Sequence, residues 1–228
     1  QPSSRSASAA SSAWLIEIGM AAPRSIMSSA YRKSPPPRGR DNQRYVWEGL
    51  QSGVFQVFSS DHAPYRFDDP EGKKKHGQNP PFKKVANGVP GIAARLPLLF
   101  SGGVSEGRLT LNQFVALSAT NHARLYGLYP RKGTIAVGSD ADIALWDPTK
   151  EMKITVDLLH DAMDYTPYEG RVVKGWPVKV LSRGEIVAED GKVSYKPLSA
   201  QEITQINDLV REAMGFNKER GVDFKLPE

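Results

Sequence analysis

The sequence contains no cysteine and only four histidines, His62, His76, His122 and His160. The absence of cysteine excludes disulfides, thiolate metal sites and a cysteine nucleophile. A metal ion would therefore have to be held by histidines and carboxylates. No two of the histidines form an HxH or HExxH pattern, so the chain lacks both short motifs that place two imidazoles on one metal.

Long hydrophobic runs are also absent. None approaches the roughly 20 apolar residues of a membrane-spanning helix, which predicts a soluble protein with no membrane partner. The net charge of +5 could indicate nucleic-acid binding, but the basic residues are scattered. Their densest cluster, Lys73–Lys75 with Lys83 and Lys84, falls in a loop rich in proline and glycine. We predict that this cluster is solvated and that the protein has no nucleic-acid partner.

The first 30 residues differ from the rest because they are rich in serine and alanine and contain one acidic residue, Glu17. This composition fits an organellar transit peptide, a disordered tail or a sequence unrelated to the rest of the chain. We expect residues 1–30 to be a disordered segment and assign it no function.

Helical and extended patterns alternate between residues 31 and 130. The stretch QRYVWEGLQSG predicts a short helix that ends at Gly53, and VFQVF at 54–58 predicts a buried strand. A long polar loop is expected over 66–91. Two helices follow, the first ending near Gly102 and the second beginning at an N-cap, Thr110. One strand among helices cannot bury both of its faces, so the pattern predicts part of a larger α/β fold.

The pattern becomes strand-like after Pro130. GTIAVGSDADIALWDP predicts two short strands, and GWPVKVLSRGEIVAEDGKVSY predicts three more with turns at Arg183-Gly184 and Asp190-Gly191. Together they predict a small antiparallel β unit. Ser199 and Glu202 are spaced as a capping box, which predicts a final amphipathic helix over 199–214.

Asp61 and His62 directly follow the predicted strand at 54–58. A carboxylate at the C-terminal end of a barrel strand can bind zinc and accept a proton from metal-bound water. The alternative is a turn, in which Asp61 only caps the end of the strand. Adjacent strand-end residues point in opposite directions, so we predict that His62 supports the site by hydrogen bonding instead of binding the same ion.

Asn87 in ANGVPG and Ser34 in KSPP occupy turns of the same ambiguous kind. Each residue either only shapes its turn or presents polar groups to a planar, polar substrate. We predict structural roles for His122 and His160, and a solvated position for His76.

Four stretches resemble the cyclic amidohydrolases, and within them the dihydropyrimidinase (D-hydantoinase) family: SSDHAPY, VANGVPGI, NHARLYGLYPRKGTIAVGSDADIALWDP and DYTPYEGRVVKGWPVKVLSRGEIVAEDGK. The resemblance extends over about residues 31–195. It implies an α/β fold in which 31–130 form the C-terminal part of a metal-dependent (β/α)8 TIM-like barrel. Residues 131–195 would then form part of a small antiparallel β-sandwich, and 196–228 a C-terminal helix and tail.

The resemblance also implies a function. Asp61 would bind one zinc ion of a two-zinc centre and shuttle a proton, while Ser34 and Asn87 would hold a cyclic amide through main-chain groups. Family members use a hydroxide activated by two metal ions to open dihydropyrimidine or hydantoin rings at a C–N bond. A cytoplasmic homotetramer that acts in pyrimidine catabolism is implied as well.

The chain departs from this family at the other metal ligands. The HxH pair, the carboxylated lysine, two later histidines and the oxyanion-stabilising tyrosine have no counterpart, and one aspartate cannot hold two zinc ions. We therefore expect an incomplete barrel that carries the substrate-binding side and one ligand of a split site. The chain could be a C-terminal part of an amidohydrolase, a non-catalytic relative used in assembly, or a complement to a separately encoded N-terminal half. The presence of Asp61 favours the first over the second.

Overall fold

The structure is a computed structural model that describes residues 40–78, 80–194, 199–201, 204, 205 and 208. The chain divides into two compact units, residues 1–192 and 193–228, which are described separately. In the second unit Ala200, Gln201, Thr204, Gln205 and Asp208 are helical. The serine- and alanine-rich segment, Ser34, Glu202 and most of the predicted final helix lie outside the described residues.

Short helices precede the sheet in the larger unit. Helix α1 is Gln43–Gln51, α2 is Arg95–Leu99, α3 is Leu111–Val115 and α4 is Asn121–Leu125. Helix α2 continues as a π-helix over Phe100–Ser105, and a second π-helix, Ala116–Thr120, joins α3 to α4. Single 3-10 turns lie at Arg40–Asn42, Phe82–Lys84 and Val156–Leu158. No helix within these described ranges is long and apolar enough to cross a membrane.

Local sequence explains two of these helix ends, the start of α3 and the end of α1. The Thr110 hydroxyl accepts a hydrogen bond from the Gln113 N–H (3.2 Å), and the Gln113 amide oxygen accepts one from the Thr110 N–H (2.9 Å). This reciprocal capping box confirms the predicted N-cap. Gly53, at a φ of +77°, follows α1 as predicted. The predicted end near Gly102 is wrong, because the helix continues past it as the π-helix. The neighbouring Gly103 packs closely against Leu109 instead of ending the helix.

Four antiparallel strands form one sheet in the order β1-β2-β3-β4. They are β1 Ile143–Lys153, β2 Val172–Ser182, β3 Glu185–Glu189 and β4 Lys192–Val193. Strand β1 pairs with β2 from Ile143↔Leu181 to Lys153↔Val172. The turns at Arg183-Gly184 (φ +50° and +87°) and Asp190-Gly191 (φ +48° and +78°) are left-handed. They confirm the predicted hairpins, since tight turns of this hand match the twist of the strands.

The prediction of two strands in GTIAVGSDADIALWDP is wrong. Among the described residues this stretch contributes only the start of β1, and Ile135 is 82% exposed. Strand β1 instead runs through Asp147 and Pro148, where its register with β2 shifts. The Asp147 carboxylate accepts hydrogen bonds from the N–H groups of Thr149 (2.8 Å) and Lys150 (3.2 Å), which closes a local turn. Because of this turn the strand continues to Lys153, whereas the sequence predicted that it would end at Pro148.

The predicted strand at 54–58 is also not formed. The Phe58 N–H donates to the Leu117 carbonyl (3.0 Å), and the Gln56 carbonyl accepts from the Asn121 side chain (2.7 Å). Phe58 is fully buried, but Val54 is 73% exposed. A strand needs a neighbouring strand to complete its hydrogen bonds. No segment of the described chain pairs with this one, so it stays irregular and is hydrogen-bonded to the helical residues Leu117 and Asn121.

An apolar core joins the helices to the sheet. The rings of Phe100 and Trp146 stack with centroids 4.8 Å apart, and Phe114 meets both edge-on. Gly175 lies against this cluster at a φ of +94°. A Cβ at this glycine would lie 2.1 Å from Phe100 Cδ1. Glycine is therefore required at the point where β2 packs on the π-helix that continues α2.

We predict that Gly175→Ala lowers the free energy of unfolding by about 2–5 kcal/mol. The positive φ costs an L-residue about 1–2 kcal/mol, and overpacking against Phe100 adds about 1–3 kcal/mol. Gly138→Ala is the matched control, because Gly138 has a φ of +90° with no atom near its would-be Cβ. Urea denaturation followed by tryptophan fluorescence measures both variants. Equal losses in the two variants would contradict the packing role.

Candidate functional site

Asp61 follows the segment at 54–58, after Ser59 and Ser60, and has a left-handed backbone conformation. Its φ is +48° and its side chain is exposed. Aspartate tolerates this region better than most residues, but the conformation is uncommon outside glycine. Strained backbone of this kind clusters at active sites and ligand-binding sites. Asp190 has the same φ in a hairpin turn, so the candidate role of Asp61 rests on its sequence motif and its exposed carboxylate.

His62 connects this segment to a second loop. Its Nδ1 accepts hydrogen bonds from the N–H groups of Gly91 (3.1 Å) and Ile92 (3.3 Å). An accepting Nδ1 carries no proton, so the neutral ring holds its proton on Nε2. Burial lowers the pKa of His62 below its usual value, and the negative charge of Asp161 opposes this in part. The imidazole thus has a hydrogen-bonding role in this structure.

Asn87 lies in the stretch 86–90, the Asn87 turn, which packs against residues 61–63, the Asp61 segment. The Ala63 N–H donates to the Val89 carbonyl (3.2 Å), and Gly88 has a φ of +130°. A Cβ on Gly88 would lie 2.3 Å from Ala63 Cβ, so no other residue fits between the two loops. The side chain of Asn87 is exposed. The fold thus brings the Asp61 segment and the Asn87 turn into contact through Ala63, Gly88 and Val89, while the side chains of Asp61 and Asn87 are exposed.

Lys73 is hydrogen-bonded to the same turn through its side chain. The sequence did not predict this role. The residue is only 2% exposed, and its Nζ donates to the carbonyls of Ala86 (3.0 Å) and Gly88. The prediction of a solvated lysine cluster is wrong for this residue, although Lys75, Lys83 and Lys84 are exposed. The run of three lysines does not itself show which one is buried. Its position directly after Gly72, which packs on the Arg66 carbonyl, is the local feature that sets Lys73 apart.

Asp164 fixes the start of the long loop. One carboxylate oxygen accepts from the Phe67 N–H and the other from the Asp68 N–H, both at 2.7 Å. Burial raises the pKa of Asp164, but the hydrogen bonds from Asp68 and Phe67 outweigh it, so the pKa lies below its usual value. Sequence reasoning assigned no role to Asp164, although it lies in the DYTPYEG stretch. The loop at 66–91 was predicted, but not the residues that order it.

The remaining histidines lie away from this contact. The His122 Nε2 is 3.1 Å from the Phe58 carbonyl, which agrees with a structural role, and His76 and His160 are exposed. Within the part of the chain that the structure describes, no three or more His, Asp or Glu side chains form a group that could bind a metal. These residues therefore do not fit a two-metal centre by themselves, and Ser34 lies outside them.

We predict that His62 makes stability depend on pH. Since its pKa is lowered in the folded state, its contribution is fully present above the unfolded value of about 6.5 and is lost as the pH falls below it. The loss is smaller than the ~1.4 kcal/mol per pH unit that one proton can contribute, because solvent screens a half-exposed ring. Urea denaturation between about pH 7.5 and 5 measures this slope.

His62→Asn tests the assignment because an amide oxygen can accept the same hydrogen bonds without titrating. We expect this variant to lose the pH-dependent part of the stability. The control is His160→Asn, at an exposed histidine, which should keep the original slope. An unchanged slope in His62→Asn would show that another group causes the pH dependence.

Curated proteins similar to this chain are hydantoinases. The chain is 46% identical over 171 residues to the D-hydantoinase of Rhizobium radiobacter, and the match covers 75% of this chain and 36% of the relative. It is 46% identical over 167 residues to the D-hydantoinase of Ralstonia pickettii, with 73% and 35% covered. The chain thus spans about a third of the length of these relatives.

Solved structures give the same result. The dihydropyrimidinase from Brevibacillus agri NCHU1002 superposes with a TM-score of 0.68 at 45% identity, covering 72% of this chain and 35% of that one. The L-hydantoinase from Arthrobacter aurescens superposes with a TM-score of 0.64 at 34% identity, covering 72% and 36%.

Two family descriptions match the sequence. The C-terminal family of the flagellar M-ring protein matches residues 150–225, about a third of the chain. The amidohydrolase family matches residues 18–187, which include Asp61, His62, Asn87 and the strands β1 and β2. The second match covers more than half of the chain and agrees with the similar proteins and structures. The chain belongs to the amidohydrolase family.

Proposed function

We propose that the protein to which this chain contributes hydrolyses cyclic amides, opening a hydantoin or dihydropyrimidine ring at a C–N bond. The observation that carries this proposal is the direct contact between the Asp61 segment and the Asn87 turn. Both lie in the part of the chain that matches the amidohydrolase family. Relatives at 46% identity are named D-hydantoinases, which favours hydantoin-like rings as the substrate class.

The proposed chemistry needs a proton acceptor beside the scissile bond. Water adds to the ring carbonyl, the C–N bond breaks, and the leaving nitrogen must gain the proton that water loses. We assign that transfer to Asp61, whose exposed carboxylate can act first as a general base and then as a general acid. The main-chain groups of Asn87 and Ser34 are assigned to the polar edge of the ring. Hydrogen-bonding support for the Asp61 segment is assigned to His62.

A finer architecture is also proposed. Residues 31–130 form the C-terminal portion of a (β/α)8 barrel, 131–195 part of a β-sandwich, and 196–228 a helix and tail. The TM-scores of 0.67–0.69 with hydantoinase and dihydropyrimidinase structures support this assignment, as does the antiparallel sheet of β1 to β4. The resemblance described above further supports a cytoplasmic homotetramer.

Zinc is the metal that we propose for the assembled site, with Asp61 as one of its ligands. The described residues supply no group of three ligands, so they do not complete a zinc site by themselves. The other ligands must then come from residues beyond those described or from another chain.

We predict that the purified chain contains close to zero zinc after dialysis against metal-free buffer. One carboxylate binds zinc too weakly to retain it, since three or four protein ligands per ion are normal. Elemental analysis measures the zinc content, and Asp61→Asn serves as the comparison. About two zinc ions per chain would contradict the prediction and would show that a complete centre forms.

In a catalytically competent protein that contains this chain, Asp61→Asn should lower kcat by about 10²–10⁴-fold, because general acid–base catalysis contributes about that much. Hydrolysis of hydantoin and of dihydrouracil measures the loss. Asp157→Asn, at an exposed aspartate in a 3-10 turn, is the control and should leave kcat unchanged. Near-normal turnover by Asp61→Asn would overturn the proton-transfer role. No turnover of either ring by the unsubstituted, metal-loaded protein would overturn the proposed function.

A further inference from the structure

We propose that Lys73 is a positioning residue that fixes the backbone on both sides of Asn87, whose main-chain groups are assigned to the cyclic amide. This inference rests on the proposed function, because it assigns a ligand to the turn. It concerns a side chain that neither the sequence motifs nor the proposed mechanism includes.

The burial of Lys73 is the first observation. Lysine is almost never fully buried unless its ammonium group is paired, because removing the charge from water is costly. Here the side chain is 2% exposed, and its Nζ donates to two backbone carbonyls, those of Ala86 and Gly88. An apolar residue would fill this space at lower cost. The bonds to these two carbonyls help to compensate the burial of the ammonium group.

The second observation is where those carbonyls lie. Ala86 and Gly88 are the two residues on either side of Asn87. In a planar trans peptide the C=O group points away from the N–H group of the next residue. With the Ala86 carbonyl turned toward Lys73, the N–H of Asn87 must point to the opposite side of the peptide. Lys73 thereby fixes the orientation of the peptide group that joins Ala86 to Asn87.

Lys73 can do this because its own backbone is fixed. Its N–H donates to the Arg66 carbonyl (2.9 Å), and Asp164 holds the adjoining Phe67 and Asp68 N–H groups. On its other side, the turn is held against the Asp61 segment by the Ala63–Val89 hydrogen bond. The backbone around Asn87 is thus held by contacts on both sides of the turn.

Lys73→Met tests the proposal because methionine keeps most of the apolar stem and removes the donors. Lys75→Met is the matched control, since Lys75 is exposed and pairs with Glu71 at the surface. In the full chain we measure amide hydrogen exchange by NMR at Ala63, Gly91 and Ile92, whose N–H groups bridge the two loops. We expect about tenfold faster exchange at these three amides in Lys73→Met. The Ile154 N–H, bonded to the Arg171 carbonyl, should be unchanged.

Kinetics separate positioning from stability. In a competent protein containing this chain, Lys73→Met should raise KM for hydantoin about tenfold and change kcat by less than about threefold. This pattern indicates loss of binding common to ground and transition states. Lys73→Arg, which keeps the charge but replaces a compact donor by a planar fork, should also raise KM. The arginine variant decides the question if the methionine variant does not fold.

Three results would overturn the inference: unchanged exchange at the bridging amides, equally faster exchange at Ile154, or an unchanged KM in the variants. If the unsubstituted protein opens no cyclic amide, the proposed function fails. In that case the exchange data alone decide whether Lys73 orders the turn, so the two failures are distinguishable.

Discussion

The long loop at 66–91 must satisfy its buried backbone groups without the ladders of a helix or sheet, and the candidate site depends on how it does so. Asp164, Lys73 and His62 supply the solution, each by binding two backbone groups of a loop segment. The three side chains differ in whether they bind backbone N–H groups or backbone carbonyls. A carboxylate and an unprotonated imidazole nitrogen accept from N–H groups, whereas an ammonium group donates to carbonyls. Together they turn a loop rich in proline and glycine into a fixed support for Asp61 and Asn87.

Local signals allowed part of this structure to be predicted from sequence. The Thr110–Gln113 capping box and the two left-handed hairpin turns depend on residues within a few positions of one another. The patterns around Asp61 and Asn87 were also recognisable as motifs. Their mutual contact was not, because it depends on Gly88 meeting Ala63 across the loop.

The unpredicted features depend on partners distant in sequence. Patterning at 54–58 indicated a strand, but strand formation needs a neighbour, and this segment bonds to the helix residues Leu117 and Asn121 instead. Lys73 is indistinguishable in sequence from the two lysines that follow it. Only the folded positions of Ala86 and Gly88 select it for burial. Contacts between residues this far apart in sequence produce no local pattern from which they could be predicted.

The irregularity in β1 has a consequence for association between molecules. Strand β1 is an outer strand of the described sheet, and such a strand exposes backbone groups that can recruit another chain. At Pro148 the strand has no N–H to offer, and the turn closed by Asp147 interrupts its regular path. A foreign strand aligned along β1 would lose its hydrogen bonds at this point. The turn that lengthens β1 therefore also limits edge-to-edge aggregation.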